Sequence, residues 1–239
     1  MTNEKITVEA CANSILSALA GQAGGAVRIE LCDNLEEGGL TPSLDKIQQA
    51  RKVLTIQLYV IIRPRGGDFV YTKAEFKRMK RDVRLCGTAG CDGVVVGILT
   101  SQGDVDTRRC AELIRIAREF SMGVTFHRAF DASRDLFQSL EDIIHLGCDR
   151  ILTSGGKPSA PKGAAVIKRL IKRAAGRISI MPGAGITVEN CAKLIRTSGL
   201  KELHGSFQSN YAGMQFTDTS KVKAIIKIAN NINPYETTP

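Results

Sequence analysis

The sequence contains no tryptophan, few other aromatic residues and almost no histidine. Phe, Trp and Tyr together make up 5% of the 239 residues, and His occurs three times. No apolar run approaches the roughly 20 residues that a membrane-spanning helix needs. No basic segment followed by an apolar one stands near the start, where a secretory signal would lie. We therefore expect a cytoplasmic protein with no membrane partner.

Disulfides and a zinc-binding cysteine cluster are not expected either. The chain has seven cysteines, an odd number, and no C-x-x-C pair. In a cytoplasmic protein of this size, cysteines are normally free thiols. A structural zinc site would normally show four closely spaced Cys and His ligands. We expect all seven to be thiols: Cys11, Cys32, Cys86, Cys91, Cys110, Cys148 and Cys191.

The positive charge is the most conspicuous feature of the composition. The formal net charge is +9, and basic residues concentrate in "KAEFKRMKRDVR" and "KRLIKRAAGR". Neither stretch is interleaved with aromatics, and no nucleic-acid-binding motif is present, so we predict no nucleic-acid partner. A solvated outer helix face is the simplest interpretation. The positive field also favours a small anionic ligand, and a docking surface for a protein partner is a further alternative.

Short apolar runs alternate with helical patterns along the whole chain. Eight strand–helix units in 239 residues predict an α/β protein, a single (β/α)8 TIM-type barrel spanning residues 1–239, with a last helix near 219–230. A doubly wound sheet of eight strands is the competing architecture. The predicted helix N-caps include Asn13, Thr41 or Ser43, and Asp104, and two later helices are predicted near 133–145 and 163–175.

Repeated glycine patterns indicate which end of the barrel is functional. "AGGAVRIEL", "AGCDGVVVG" and "LGCDRILTS" each place a glycine between a helix and the next strand. Glycine after a helix is a usual C-cap. These glycines therefore mark the helix-to-strand end, and we expect the functional site at the opposite end, where the strands finish.

Polar residues occupy inward positions near the ends of several predicted strands. Side chains of a strand alternate between the barrel interior and the helix layer. This alternation points Glu9, Glu30, Arg63, His127 and His204 inward. Buried charges are costly unless they are paired, so one interpretation is a structural ion-pair cluster in which Arg63 bridges Glu9 and Glu30. Convergence at the functional end favours a catalytic site instead.

The loops after the strands add further candidate site residues. "FHRAFD" supplies Asp131 as a catalytic candidate, "TSGG" supplies Ser154 and Gly155, and "MPGAGIT" supplies Gly183, Ala184 and Gly185 just before a helix. Backbone N–H groups at a helix N-terminus bind anions. We predict that the latter five residues form a phosphate- or carboxylate-binding site.

Two cysteines occupy matching positions on the first two predicted strands. Cys11 ends "VEAC" and Cys32 ends "IELC", each two residues after a glutamate. Neighbouring strands lie about 4.8 Å apart, so the two sulfurs are expected to lie close together, subject to the stagger of the strands. Thiolates are soft ligands that suit Cu(I). Buried packing is the alternative role for this pair and the expected role of the other five cysteines.

Several long motifs resemble the CutC family of copper homeostasis proteins. They include "VEACANSILSALAGQAGGAVRIELCDNLEEGGLTPS", "IRPRGGDFVY", "DGVVVGILTSQGDVD", "VTFHRAFD", "IMPGAGIT" and "LHGSF", from about Val8 to Phe207. Val27 stands where the family usually carries Asp. The resemblance implies a cytoplasmic (β/α)8 barrel that takes part in copper handling. It also implies that Cys11 and Cys32 are Cu(I) ligands.

Two functions from different classes follow from these observations. The first is a copper homeostasis protein that binds Cu(I) through Cys11 and Cys32, with Glu9 and Glu30 orienting the ligands. The second is a barrel enzyme, an isomerase, lyase or hydrolase, that acts on a small anionic or phosphorylated substrate. In the second, His127 or Glu30 is the general acid/base and Arg63 holds the substrate. No organic cofactor is expected, and the composition permits a homodimer.

Overall fold

Eight parallel strands surround the centre of this computed structural model, which describes residues 5–211 and 213–232 and, of these, no side chain for Tyr211 or Met214. The predicted domain limits, 1–239, therefore extend beyond the described residues at both ends. The strands are β1 (Thr7–Ala12), β2 (Arg28–Leu31), β3 (Gln57–Ile61), β4 (Gly93–Val96), β5 (Gly123–Phe126), β6 (Arg150–Thr153), β7 (Ser179–Pro182) and β8 (Glu202–Gly205).

The strand order confirms the predicted barrel. The order is β7-β6-β5-β4-β3-β2-β1-β8, with every hydrogen-bonded pair parallel. β7 and β8 lie side by side, so the eight strands nearly close. A doubly wound sheet would reverse its order at a switch point. Here the order is sequential and the last strand returns to the first, which excludes that alternative.

Among the described residues, seven α-helices connect the eight strands of the barrel and an eighth follows the last strand; together they cover the outside of the barrel. The predicted alternation of strand and helix is confirmed. The helices are α1 (Ile15–Ala23), α2 (Leu44–Val53), α3 (Lys73–Thr88), α4 (Thr107–Glu119), α5 (Leu136–His145), α6 (Ala160–Ala174), α7 (Val188–Ser198) and α8 (Thr219–Asn231). Among the described residues, none of these helices is both long and apolar enough to cross a bilayer.

The core separates into two layers, as the period of two along each strand requires. Outward residues such as Ile29, Val60 and Val94 pack with the helices in one large cluster. A small second cluster lies inside the barrel and contains only Cys11, Cys32, Tyr59, Ile61 and Val95, with Leu35 packed against it. The remaining inward positions are largely polar, so the barrel interior is not an ordinary aliphatic core.

Two predicted helix caps are wrong by one or two residues. Ser14, not Asn13, caps α1, because its Oγ accepts a hydrogen bond from the Ser17 amide at 3.1 Å. Asp106, not Asp104, caps α4, where its Oδ1 accepts from the Arg109 amide at 3.0 Å. In each case a polar residue directly before the first helical turn reaches the free N–H groups, which a residue further upstream cannot do.

Two later helix boundaries also differ from the predictions. α5 begins at Leu136 because Asp135 caps it, and a short 3₁₀ turn, Arg128–Ala132, precedes it. α6 begins at Ala160, three residues before the predicted start, because proline is well tolerated in a first helical turn. Ser43 is the cap of α2, as one of the two predicted alternatives.

A β-hairpin after the barrel is absent from the predictions. Its strands are β9 (Gln208–Tyr211) and β10 (Met214–Thr217), paired antiparallel. The Thr217 amide donates to Ser17 Oγ at 3.2 Å, which ties the hairpin to α1. The hairpin follows β8 directly, so it lies at the end of the barrel where the strands finish and contributes to the cavity described below.

Candidate functional site

The five inward polar candidates are all buried inside the barrel. Glu9, Glu30, Arg63, His127 and His204 are each at most 8% exposed. Glu9 of β1 lies opposite His204 of β8, because these two strands pair directly. The barrel therefore brings together side chains from the beginning and the end of the chain.

Arg28 is the cation that neutralises the buried glutamate of β1. Its Nε contacts a Glu9 carboxylate oxygen, and one terminal nitrogen lies 2.6 Å from Glu202 Oε2. Burial works to raise the pKa of Glu9, but Arg28 and His204 outweigh it and lower that pKa to about 2. The predicted bridge from Arg63 to the two glutamates is wrong: among the described residues, Arg63 pairs with neither.

His204 lies between two glutamates. Its Nδ1 is 2.7 Å from Glu9 Oε1, and its Nε2 is 3.5 Å from Glu30 Oε2. Burial raises the pKa of the Glu30 carboxyl. Burial also acts to lower the pKa of His204, but the two carboxylates raise it overall. The three side chains form one hydrogen-bonded and ionic row across the floor of the barrel end.

The two matched cysteines are close together although their strands are staggered. The β1–β2 register places Cys11 opposite Glu30, so Cys32 lies two residues further along than Cys11. Their sulfurs are nevertheless 3.6 Å apart. The contact with Cys32, and then burial, raises the pKa of the Cys11 thiol well above its ordinary value. Cys32 is fully buried, and Gly39 packs directly against it.

The other five cysteines are all buried thiols in helices or just before strands, as predicted for packing residues. They lie in or near the contact layer between helices and strands. None of them lines the cavity at the strand ends. The structure therefore separates them from Cys11 and Cys32.

Arg63 holds the loops around the site together. Its guanidinium donates to the carbonyls of Glu37 at 2.6 Å, Gly39 at 3.2 Å and Gly67 at 3.0 Å. Its Nε is buried and has no hydrogen-bond partner among the described residues. Arg63 thus holds the segments after β2 and β3 in place. Its Nε–H remains available as a hydrogen-bond donor.

His127 is a neutral, half-satisfied imidazole. Burial, and then the nearby charge of Arg63, lowers its pKa to about 3. Nδ1 accepts a hydrogen bond from the Ala129 amide at 3.1 Å, which places the single ring proton on Nε2. In the part of the chain that the structure describes, Nε2 is buried without a partner. His127 therefore offers one N–H donor rather than a base.

Asp131 occupies the amide groups of the "TSGG" loop. Its carboxylate accepts from the Ser154 amide at 2.9 Å, from the Gly156 amide at 2.9 Å and from Thr153 Oγ1 at 2.5 Å. The Gly155 amide donates to Thr153 Oγ1 instead. The donors of this loop are therefore satisfied within the protein, and an anion would have to displace Asp131 to reach the amides of Ser154 and Gly156.

The "PGAG" loop is different, because two of its amides have no hydrogen-bond partner within residues 5–211 and 213–232. The Gly183 amide donates to the Thr153 carbonyl at 3.0 Å. Ala184 and Gly185 both have positive φ angles, 76° and 69°, directly before α7. Among the described residues, the amides of Ala184 and Gly185 have no protein acceptor. Of the five predicted anion-binding residues, these two line the cavity.

A large cavity connects these groups. It encloses about 1010 Å³ and opens at the strand ends beside the β9–β10 hairpin. Its wall includes five of the predicted catalytic residues and one cysteine of the pair: Cys11, Glu30, Arg63, His127, Asp131 and His204. Cys32 and Glu9 lie behind this wall. The structure therefore gathers the five catalytic candidates, Cys11, Ala184 and Gly185 around one space. The other predicted site residues, Cys32, Ser154, Gly155 and Gly183, do not line it.

Two important residues were not assigned a role from the sequence. The strand alternation that directs Glu30 and His204 inward also directs Arg28 and Glu202 inward, yet nothing in the local sequence identifies Arg28 as the partner of Glu9. The signal was available in the pattern, because Arg28 is a charged residue at an inward position of a predicted barrel strand. An inward charge requires an inward partner.

Comparison with known proteins identifies the family. The sequence profile of the CutC family matches residues 6–209. A CutC family protein of Chromobacterium violaceum is 51% identical over 205 residues, which cover 86% of this chain and 82% of that protein. The chain belongs to the CutC family. A second CutC family protein, from Xylella fastidiosa, is 46% identical over 92% of this chain and 88% of its own length.

Solved structures agree with the CutC assignment. The crystal structure of a CutC protein from Streptococcus agalactiae, described as a candidate copper homeostasis protein, superimposes with a TM-score of 0.80. It is 35% identical and covers 84% of this chain and 98% of its own. A phosphoribosylanthranilate isomerase from Thermotoga maritima has a TM-score of 0.61 at 14% identity, which reflects the barrel fold alone.

Proposed function

We propose that this CutC protein binds Cu(I) through Cys11 and Cys32. One observation carries the proposal: two buried thiols, Cys11 in β1 and Cys32 directly after β2, lie with their sulfurs 3.6 Å apart. Thiolates are the soft ligands that Cu(I) prefers. Cys11 lines the cavity, whereas Cys32 lies behind it, so an ion would enter from the cavity and contact Cys11 first.

The surroundings of Cys11 do not suit a reactive, nucleophilic cysteine. Each thiol has to lose its proton before it coordinates a metal. The Cys32 contact, and then burial, raise the pKa of Cys11 and so keep this thiol protonated in the free protein. Cu(I) binding would therefore release protons. A nucleophilic cysteine would need the opposite environment, with a basic neighbour that lowers its pKa.

A competitive titration of the reduced protein with Cu(I) against a chromophoric chelator tests this function. The wild type is expected to bind one ion tightly, and Cys11→Ser and Cys32→Ser are each expected to weaken binding by at least about 100-fold, because each removes half of the ligand set. Cys191→Ser is the matched control, since Cys191 is buried away from the cavity. Equal affinity in all four proteins would contradict the proposal.

A second candidate function is binding of a small anionic molecule in the cavity. The observation in its favour is His127 Nε2, a buried N–H at the wall of a space of about 1010 Å³ that has no hydrogen-bond partner in the described part of the chain. Burying a polar group without a hydrogen bond is costly, and a ligand oxygen would remove that cost. The unpaired amides of Ala184 and Gly185 offer further donors on the same wall.

Thermal unfolding with inorganic phosphate, sulfate and acetate tests this second function. At a concentration about 100 times Kd, a ligand stabilises the folded state by about 2.7 kcal/mol, so at least one anion is expected to raise the Tm by several degrees. His127→Leu is expected to abolish most of that shift, and His145→Leu, the same change at an exposed position of α5, to preserve it. No shift with any anion, or the same shift in His127→Leu, would contradict this function.

A further inference from the structure

Three different metal-ligand types meet at the cavity floor beside the cysteine pair. The ligand atoms of Cys11, Glu30 and His204 all lie within 4.8 Å of one another, and all three residues are buried. The best-defined pair is His204 Nε2 and Glu30 Oε2, 3.5 Å apart. All three side chains line the cavity. Cys32 is not part of this group and lies behind the wall.

The His204 ring is oriented as a metal-binding histidine would be. Its Nδ1 lies 2.7 Å from Glu9 Oε1, which leaves Nε2 directed toward Glu30. Metal-bound histidines typically donate their other N–H to a carboxylate, which fixes the ring. Glu9 is itself fixed by the contact with Arg28. The second layer of such a site is therefore already present.

We propose that Cys11, Glu30 and His204 form a binding site for a divalent metal ion of the Zn²⁺ type, distinct from the Cu(I) pair. Zinc takes Cys, His and carboxylate ligands at about 2.0–2.3 Å. Tetrahedral geometry then separates ligand atoms by about 3.3–3.8 Å, and the separation of 3.5 Å between Nε2 and Oε2 falls in that range. A mixed thiolate, imidazole and carboxylate set suits Zn²⁺ better than Cu(I).

The coordination position that the three protein ligands leave free determines what a bound ion could do. Three protein ligands leave the fourth position of a tetrahedral ion free, as in catalytic zinc sites. The ligands lie on the cavity wall, so the free position faces the cavity. A water molecule or the carbonyl, carboxylate or phosphoryl oxygen of a small molecule would take it. An ion held there would polarise that oxygen as a Lewis acid.

The two metal sites share Cys11 and differ in every other ligand. The Cu(I) pair needs Cys32 and not His204, whereas the divalent site needs His204 and not Cys32. One protein therefore cannot hold both ions on Cys11 in these two ways at once. The difference also allows two single substitutions to separate the sites, so the loss of one does not imply the loss of the other.

Zinc titration of the metal-free, reduced protein against a chromophoric chelator tests the site. The wild type is expected to bind one Zn²⁺, His204→Phe and Glu30→Gln to bind it at least about 30-fold more weakly, and Cys32→Ser to remain within about threefold of the wild type. Cu(I) binding is expected to show the reverse pattern. The proposal is overturned by a wild type that binds no Zn²⁺, by unchanged affinity in His204→Phe, or by a loss in Cys32→Ser as large as that in His204→Phe.

A measurement on the wild-type protein tests the same site without any variant that could misfold. X-ray absorption at the zinc edge of the wild type loaded with one Zn²⁺ is expected to show one sulfur and two or three nitrogen or oxygen neighbours. Two sulfur neighbours would place the ion on the Cys11–Cys32 pair and overturn the assignment. Because no substitution is involved, this result does not depend on the folding of His204→Phe.

Discussion

At the scale of single residues, the central feature is a chain of buried charges. Arg28 is 4% exposed and contacts both Glu9 and Glu202. His204 extends the chain to Glu30. Buried ions are tolerated only when each has partners, because desolvation costs several kcal/mol per ion. Arg28 therefore supports the site without lining the cavity.

Replacement of Arg28 by methionine leaves two carboxylates without their shared cation. We expect Arg28→Met to lower the free energy of unfolding by about 3–5 kcal/mol, as is usual when one member of a buried pair is removed. Urea denaturation measures the change. Arg115→Met is the matched control: Arg115 pairs with Glu119 on the surface of α4, so its loss should stay below about 1 kcal/mol. Similar values for the two variants would refute the prediction.

At the scale of elements, local caps and strand registers position the site. The N-terminus of α3 is a complete capping box, in which Thr72 Oγ1 accepts from the Glu75 amide at 3.2 Å and the Thr72 amide donates to Glu75 Oε2 at 2.7 Å. The β1–β2 register determines that Cys11, not Cys32, faces Glu30. Local sequence encodes such caps, but a register depends on two segments at once.

Removal of the α3 cap provides a test at this scale. Thr72→Ala removes the acceptor of the Glu75 amide, and we expect it to lower the free energy of unfolding by about 1 kcal/mol. Thr88→Ala, the same substitution at the other end of α3, is the control. The exposed Thr88 hydroxyl donates to the Arg84 carbonyl within the same helix, so its loss should cost less than about 0.5 kcal/mol. A control that is as destabilising as Thr72→Ala would contradict the capping account.

At the scale of the whole molecule, barrel closure creates the site. Glu9 and His204 are 195 residues apart in the sequence, yet they touch because β8 pairs with β1. The cavity collects residues from seven of the eight strand–helix units, all except that of β4, and from the β9–β10 hairpin. A site distributed in this way exists only when the complete barrel has folded. The ionisation of its buried charged groups should therefore affect the free energy of unfolding of the whole barrel.

The dependence of stability on pH tests that link. Glu9 has a folded pKa of about 2, below its ordinary 4.5. Its ionised form therefore contributes stability that is complete above about pH 4.5 and is lost as the pH falls toward 2. We expect Glu9→Gln to be less stable than the wild type at pH 6 by on the order of 3 kcal/mol, and the difference to shrink steadily below pH 4.5.

Urea denaturation at pH 6 and pH 3 measures both differences. Glu36→Gln is the matched control, because Glu36 is exposed and the same substitution there removes no buried ion pair. It should track the wild type at both values of pH. A difference between Glu9→Gln and the wild type that stays constant from pH 6 to pH 3 would show that Glu9 does not act through its charge.

The sequence by itself determined the barrel, the inward direction of the polar side chains and the family. Alternation of apolar and polar residues follows from the two-residue period of a strand. The direction of each side chain could therefore be predicted without knowledge of any tertiary contact. The proximity of Cys11 and Cys32 followed from the same rule. The family resemblance from about Val8 to Phe207 is confirmed by the profile match over residues 6–209.

Only the tertiary structure decided which inward groups meet. In the structure, Arg28 and not Arg63 is the partner of Glu9. Asp131 accepts hydrogen bonds from amides of the "TSGG" loop. The ligand atoms of Cys11, Glu30 and His204 lie within 4.8 Å of one another. The physical reason is that strand period fixes the direction of a side chain but not the stagger of neighbouring strands or the reach of a long side chain. Pairings between residues distant in sequence depend on both.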